Sequence, residues 1–268
     1  MTRRRRVLLG GTVAVGVVVV FVAVIGIEIV VAGNGVHVDE YDPHLSDGLV
    51  GAAAGDARTP LKIVWLGDST AAGVGSSGPQ RAVSHQVAER LGRPVELDVL
   101  AVSGARVQDV LDAQVAKVPA DADLVVMSVG ANDTTHLTSS GDFEQRYRAV
   151  LAGLPAGVPV VLIGVPDVGS TTRLAQPLRA VAGGRADQLG AIVRDIARER
   201  DAAYVNLAAN TGPAFRADPD RYFAADHYHP NDAGYGLWAD VVTPVVEWAI
   251  SRAEHPDQPA PPVPEESR

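Results

Sequence analysis

Apolar and polar positions follow two rhythms along the middle of the chain. Short runs rich in β-branched residues read as strands: LKIVWLG from Leu61, VELDVLAVSG from Val95, ADLVVMSVG from Ala122, VPVVLIGVP from Val158 and AAYVNLAA from Ala202. Helical spacing fills the intervals over Gln80 to Leu91, Arg106 to Val118, Asp142 to Leu151 and Leu174 to Asp201, and a last helix is expected from Ala233 to Arg252. Near-continuous apolar strands alternating with helices describe a parallel sheet buried on both faces, because right-handed crossovers lay helices on either side. The expected fold is therefore α/β, a three-layer α/β/α sandwich around a five-stranded parallel sheet. In the last helix Tyr235, Trp238, Val241, Val245 and Trp248 form the expected sheet-facing stripe, and Pro244 predicts a kink or two short helices.

The ends break this pattern. From Val7 to Ile27 the chain carries no charge, a run that as a helix reaches about 30 Å, the thickness of a bilayer core. Arg3, Arg4, Arg5 and Arg6 precede it, so the expectation is a single-pass anchor with the N-terminus inside and the main domain outside, Glu28 lying at the far interface. Cleavage of a signal segment after Ala32 is the alternative. The division expected is residues 1–33 as anchor or signal segment, 34–59 as a stalk, 60–252 as the main domain and 253–268 as an acidic, proline-rich tail.

Composition narrows the chemistry. The formal net charge is -9, and the four N-terminal arginines leave the remainder more acidic still, which argues against a nucleic-acid partner. There is no cysteine, so thiolate nucleophiles, thiolate zinc sites and disulfide scaffolds are excluded. His37 and His44, with Asp39, Glu40 and Asp42 nearby, are too irregularly spaced to match a metal-site signature, and no metal is expected.

The strand ends hold the more specific signals. Asp68 and Ser69 follow the first strand, Gly104 the second and Asn132 the third, while Asp226 and His229 precede the last helix. A parallel sheet delivers all of them to one carboxyl edge, where open α/β sheets keep their sites. Each has a structural reading as well. Ser69 can cap the helix after the strand, Gly104 can serve a tight turn, Asn132 an Asx-turn, and Asp226 and His229 a surface cap. For Asp68 the structural role, steadying the turn, is the expected one, and His227 is expected to be a bystander.

Taken together, GDS at Gly67 to Ser69, SGA at Ser103 to Ala105, GAND at Gly130 to Asp133 and DHYH at Asp226 to His229 resemble, in order, the four motif blocks of the SGNH, or GDSL-type, serine hydrolase superfamily. The resemblance spans about residues 60 to 252. It implies a flavodoxin-like SGNH hydrolase fold and a carboxylic-ester hydrolase that needs no cofactor. It also implies Ser69 as nucleophile, His229 as general base, Asp226 as the group orienting His229, and the Ser69 and Gly104 amides with the Asn132 side chain as oxyanion donors. An imidazole must take the serine proton for a hydroxyl to attack at neutral pH, which is why these residue types belong together. Thr70 departs from the family's usual aliphatic residue. No long apolar lid is visible, so short acyl or acetyl esters, of an envelope carbohydrate or lipid, are the expected substrates. A lipid-directed lipase or thioesterase, and a non-catalytic binding module, are the alternatives. The loop PDVGSTTRLAQPL is expected as a substrate wall, with Arg173 at its surface. The oligomeric state is not encoded.

Overall fold

The computed structural model describes residues 23–28, 30–31, 33–51 and 56–255. Six strands form one sheet: β1 (Gly48–Val50), β2 (Leu61–Gly67), β3 (Val95–Val99), β4 (Leu124–Ser128), β5 (Val160–Ile163) and β6 (Ala203–Val205). Their spatial order is β1-β3-β2-β4-β5-β6, with every neighbouring pair parallel except β1 and β3. The sheet is thus mixed. The five parallel strands lie where the apolar runs predict them, and the antiparallel edge strand comes from the segment expected to be a stalk. Three residues with one buried side chain, Val50, are too short a run for the pattern to announce.

The helices are α1 (Ser69–Ala72), α2 (Val83–Arg90), α3 (Val107–Ala113), α4 (Ala131–Thr135), α5 (Ser140–Gly153), α6 (Leu178–Glu199), α7 (Leu207–Ala217), α8 (Pro219–Tyr222) and α9 (Asp232–Glu254). Alternation along β2 divides the core. Ile63 and Trp65 pack with α2, α7 and α9, whereas Val64 and Leu66 pack with α3, α5 and α6 on the opposite face. Trp65, Phe143, Tyr147 and Tyr235 are fully buried, each contributing about 1.5–3 kcal/mol through the apolar surface removed from water. Because the chain leaves β2 for β3 on one side and returns to β4 on the other, the carboxyl end of β2 lies at the topological switch point.

Two sequence expectations change. Helix α9 runs unbroken through Pro244, and its buried stripe is Tyr235, Trp238, Ala239, Val242, Val246 and Ala249, with Val241, Val245 and Trp248 only partly covered. The amide missing at Pro244 deprives the carbonyl of Asp240, an exposed residue, so the lost bond falls on the solvent side and the helix continues past it.

The second change concerns the membrane. Among the described residues no helix is long and apolar enough to cross a bilayer, so the single-pass anchor expected over Val7 to Ile27, with its membrane contact and inside-to-outside topology, is not found there. Residues 7–22 of that run, and Ala32 of the cleavage alternative, lie outside the described residues. Glu28, expected at a membrane interface, instead accepts a hydrogen bond from the Leu178 amide at the start of α6 at 2.9 Å. Of the expected tail, residues 256–268 lie outside the described residues.

Candidate active site

The turn after β2 is built by Asp68. Its Oδ1 accepts from the Thr70 amide at 3.0 Å and the Thr70 hydroxyl at 2.8 Å, capping α1 and setting Ser69 at that helix's first position. Thr70, the departure from the common motif, therefore supports the cap. Below the turn Gln114, which carries no motif signal, pairs both backbone groups of Gly67: Oε1 accepts from its amide and Nε2 donates to its carbonyl, each at 2.8 Å. A buried glutamine inside an apolar helical stretch looks like an ordinary helix former, so sequence reasoning passes over it.

On the far side of the cleft, Asp226 organises its own turn. Its Oδ1 accepts from the amides of Tyr228 and His229, both at 3.0 Å, while Oδ2 lies 2.6 Å from His229 Nδ1. The intervening His227 takes a left-handed conformation, φ 56°, and stays exposed. His229 Nε2 then lies 2.9 Å from Ser69 Oγ. An ionised carboxylate only accepts, so the Nδ1 proton belongs to the bond with Asp226 and Nε2 is left to accept from the serine. Asn231 ties this turn to the last helix: its Oδ1 receives the Ala233 and Gly234 amides at the start of α9, and its Nδ2 donates to the Arg221 and Phe223 carbonyls.

Gly104 sits in an exposed turn with φ 79°, open to a left-handed backbone because it lacks a Cβ. Asn132, near the start of α4, donates from Nδ2 to the Ala105 carbonyl at 3.1 Å and so ties its side chain to the glycine turn. One amide hydrogen remains for another acceptor. The neighbouring Asp133 is buried and accepts from the Val107 amide at 2.9 Å, fixing the start of α3.

The two carboxylates flanking the site titrate in opposite directions. Burial alone raises Asp226, but hydrogen bonds and charge from His229, with the Tyr228 and His229 amides, outweigh it and hold the group below the usual carboxylate range. Asp68 is raised: burial dominates, and the bonds from Thr70 only partly offset it.

A cavity of about 30 Å³ is lined by Thr70, Ala131, Asp167, Tyr228, Pro230 and Trp238 among others. Asp167, another residue without a motif signal, pairs with Arg216 of α7 at 2.6 Å. A larger hollow of about 520 Å³, lined by Pro155, Arg200 and Trp248 among others, belongs to the opposite edge of the sheet and contains none of the chemical groups above. Arg173 is more than a surface residue. Its amide donates to the His227 carbonyl at 3.1 Å and its guanidinium reaches the carbonyls of Val36 and Asp226. The histidine-carboxylate group weighed for a metal is not assembled: His44 instead meets Asp47 and Asp98, with its Nδ1 2.8 Å from Asp47 Oδ2.

Residues 65–237 match the GDSL-like Lipase/Acylhydrolase family. A GDSL-like esterase of Mycobacterium tuberculosis is 33% identical over 190 residues, covering 68% of this chain and 60% of that relative, so this chain spans less than two thirds of its length. Among solved structures, a lipase/acylhydrolase from Enterococcus faecalis superposes with a TM-score of 0.56 at 18% identity, covering 70% of this chain and 96% of the other. A phospholipase A1 from Streptomyces albidoflavus gives 0.51 at 22% identity, covering 71% and 100%. At these identities the structural likeness speaks for the fold alone.

Proposed function

Since the chain belongs to the GDSL-like lipase/acylhydrolase family, we propose that it is a serine ester hydrolase working through Ser69, His229 and Asp226. The observation that carries this reading is the unbroken relay from Asp226 Oδ2 through His229 to Ser69 Oγ, with links of 2.6 and 2.9 Å. Ser69 Oγ attacks the ester carbonyl carbon while His229 Nε2 takes the hydroxyl proton. The imidazolium so formed is stabilised by Asp226. Negative charge on the carbonyl oxygen is received by the Ser69 and Gly104 amides and by the Asn132 amide hydrogen not used by Ala105. Collapse expels the alcohol, which takes the proton from His229, and leaves an acyl group on Ser69. Water, deprotonated by His229, then releases the acid.

For the acyl group, an apolar chain is the better reading than the short acetyl ester expected from the missing lid. Three large apolar side chains beside the site elements are exposed: Val102, immediately before Ser103 and Gly104, Leu137, just after α4, and Val36, whose carbonyl holds Arg173. Exposed apolar surface at the edge of a site suits an acyl chain of an ester or thioester that extends beyond it. The deciding experiment offers p-nitrophenyl acetate, butyrate and palmitate to the purified protein alongside a fluorophosphonate. Labelling of Ser69 with kcat/KM rising toward the longer chains is expected. Turnover without a Ser69 adduct removes the mechanism, whereas Ser69 labelling with acetate preferred removes only the acyl-chain assignment.

A further inference from the structure

We propose that residues 36–41, which precede the stretch matched by the family, act as a strap that positions the three loops bearing Ser69, Gly104 and His229, with Glu40 and Tyr41 as positioning residues. The consequence for turnover rests on the ester hydrolase reading above; the clamping itself does not.

Each contact reaches a different loop. Tyr41 Oη lies 2.9 Å from Ser76 Oγ and 3.2 Å from the carbonyl of Gly73, the residue that ends α1 four positions after Ser69. Burial raises the Tyr41 phenol above its ordinary range, so it stays protonated and available as a donor. One residue earlier, Glu40 Oε1 accepts from Ser103 Oγ at 2.8 Å, and Ser103 directly precedes Gly104. The Val36 carbonyl accepts from Arg173, whose own amide is bonded to the His227 carbonyl, two residues from His229.

A strap can hold loops only if its own ends are held. Downstream, Asp47 Oδ1 accepts from the Val99 amide at 2.8 Å, and β1 pairs in register with β3 from Gly48 against Leu97 to Val50 against Val95. Upstream, Glu28 is bonded to the first turn of α6. The segment is thus held upstream and downstream of residues 36–41 and touches the site loops in between. Loops carrying an attacking hydroxyl, an oxyanion amide and a base need their relative positions set to a fraction of an ångström, and hydrogen bonds from a segment anchored elsewhere can set them.

The test compares Tyr41→Phe, Glu40→Ala and Glu40→Gln in the full chain by amide hydrogen exchange over residues 70–78 and 100–107 and by p-nitrophenyl butyrate turnover. Glu40→Ala is expected to quicken exchange in 100–107 and to lower kcat about tenfold, the equivalent of about 1.4 kcal/mol, with KM changed less than about twofold. Glu40→Gln keeps an oxygen facing Ser103 and should restore most of kcat, which a change in general stability would not produce. Tyr41→Phe should loosen 70–78. Unchanged exchange in both loops overturns the clamp, and loosened loops with undiminished kcat overturn its role in turnover. If turnover survives Ser69→Ala, the hydrolase reading falls while the exchange measurement still decides whether the strap holds the loops.

Discussion

His229 Nε2 lies 2.9 Å from Ser69 Oγ although 160 residues separate them in the chain. Two independent turns create that contact: Asp68 caps the helix that begins with Ser69, and Asp226 gathers the amides and imidazole of the turn that ends at His229. Both are organised by a carboxylate two positions or fewer from a residue it holds, so the relay depends on local caps as much as on the sheet.

The first prediction separates the two partners of this contact. Ser69→Ala should reduce kcat by about 10⁴-fold or more, leaving the melting temperature within a few degrees of the parent because a small hydroxyl is removed without a cavity. His229→Ala should lose activity to a similar extent at every accessible pH. Recovery of the histidine variant on raising pH would show that another group supplies the base.

Asp226 connects turnover with acid stability. Asp226→Asn turns the group facing His229 Nδ1 from an acceptor pair into an amide and should lower kcat by about 10³–10⁴-fold. Its folded pKa lies below the ordinary value, so the carboxylate contributes stability above the unfolded pKa, near 4, that is lost as pH falls through the folded one. The asparagine variant should therefore show a smaller loss of stability between neutral pH and the acid limb, measured by urea denaturation at a series of pH values.

The parallel strands and the residues now paired at their carboxyl edge were legible because both are written in short local patterns: apolar runs bounded by glycine, and polar residues placed immediately after them. What stayed hidden is held by contacts between distant, ordinary-looking residues. Gln114 matters only through the two backbone groups of Gly67, and Tyr41 only through Ser76 and Gly73. The edge strand Gly48–Val50 has too few residues for alternation to be recognised. The apolar run at the N-terminus has the composition of a span, yet Glu28 at its end is bonded to α6, a tertiary contact that hydropathy does not carry.

Gly67 marks the limit of what the turn after β2 tolerates. Its φ is 150°, and a Cβ there would overlap the Ser128 carbonyl on the adjacent strand as well as crowd the Ala71 side chain. Backbone on one side and a packed helix on the other cannot both yield. Gly67→Ala should cost at least about 3 kcal/mol and displace Ser69 from His229, abolishing fluorophosphonate labelling in whatever fraction folds. A variant that melts with the parent and labels normally would mean that β2 and β4 can separate at this point.

Asp68 offers the opposite titration and so a test of the opposite sign. The carboxyl is fully buried, and burial raises its pKa more than the Thr70 amide, the Thr70 hydroxyl and the charge of His229 lower it. A folded pKa above the unfolded value means that the folded state binds the proton more tightly. The associated stability is complete below the unfolded pKa, near 4, and is lost as pH rises through the folded value. Ionisation of the side chain therefore opposes the fold it caps. Asparagine keeps a carbonyl oxygen to accept from the Thr70 amide and hydroxyl but does not ionise. Asp68→Asn should consequently lose less stability than the parent between pH 4 and pH 7. Urea melts at the two pH values measure this directly. Turnover supplies the second reading: if the Asp68 charge helps hold the His229 imidazolium, kcat falls in the same variant that loses less stability. A parent that loses no more stability than the variant over that range would reverse the sign and show that the anion, buried as it is, strengthens the cap over Ser69 by more than its desolvation costs.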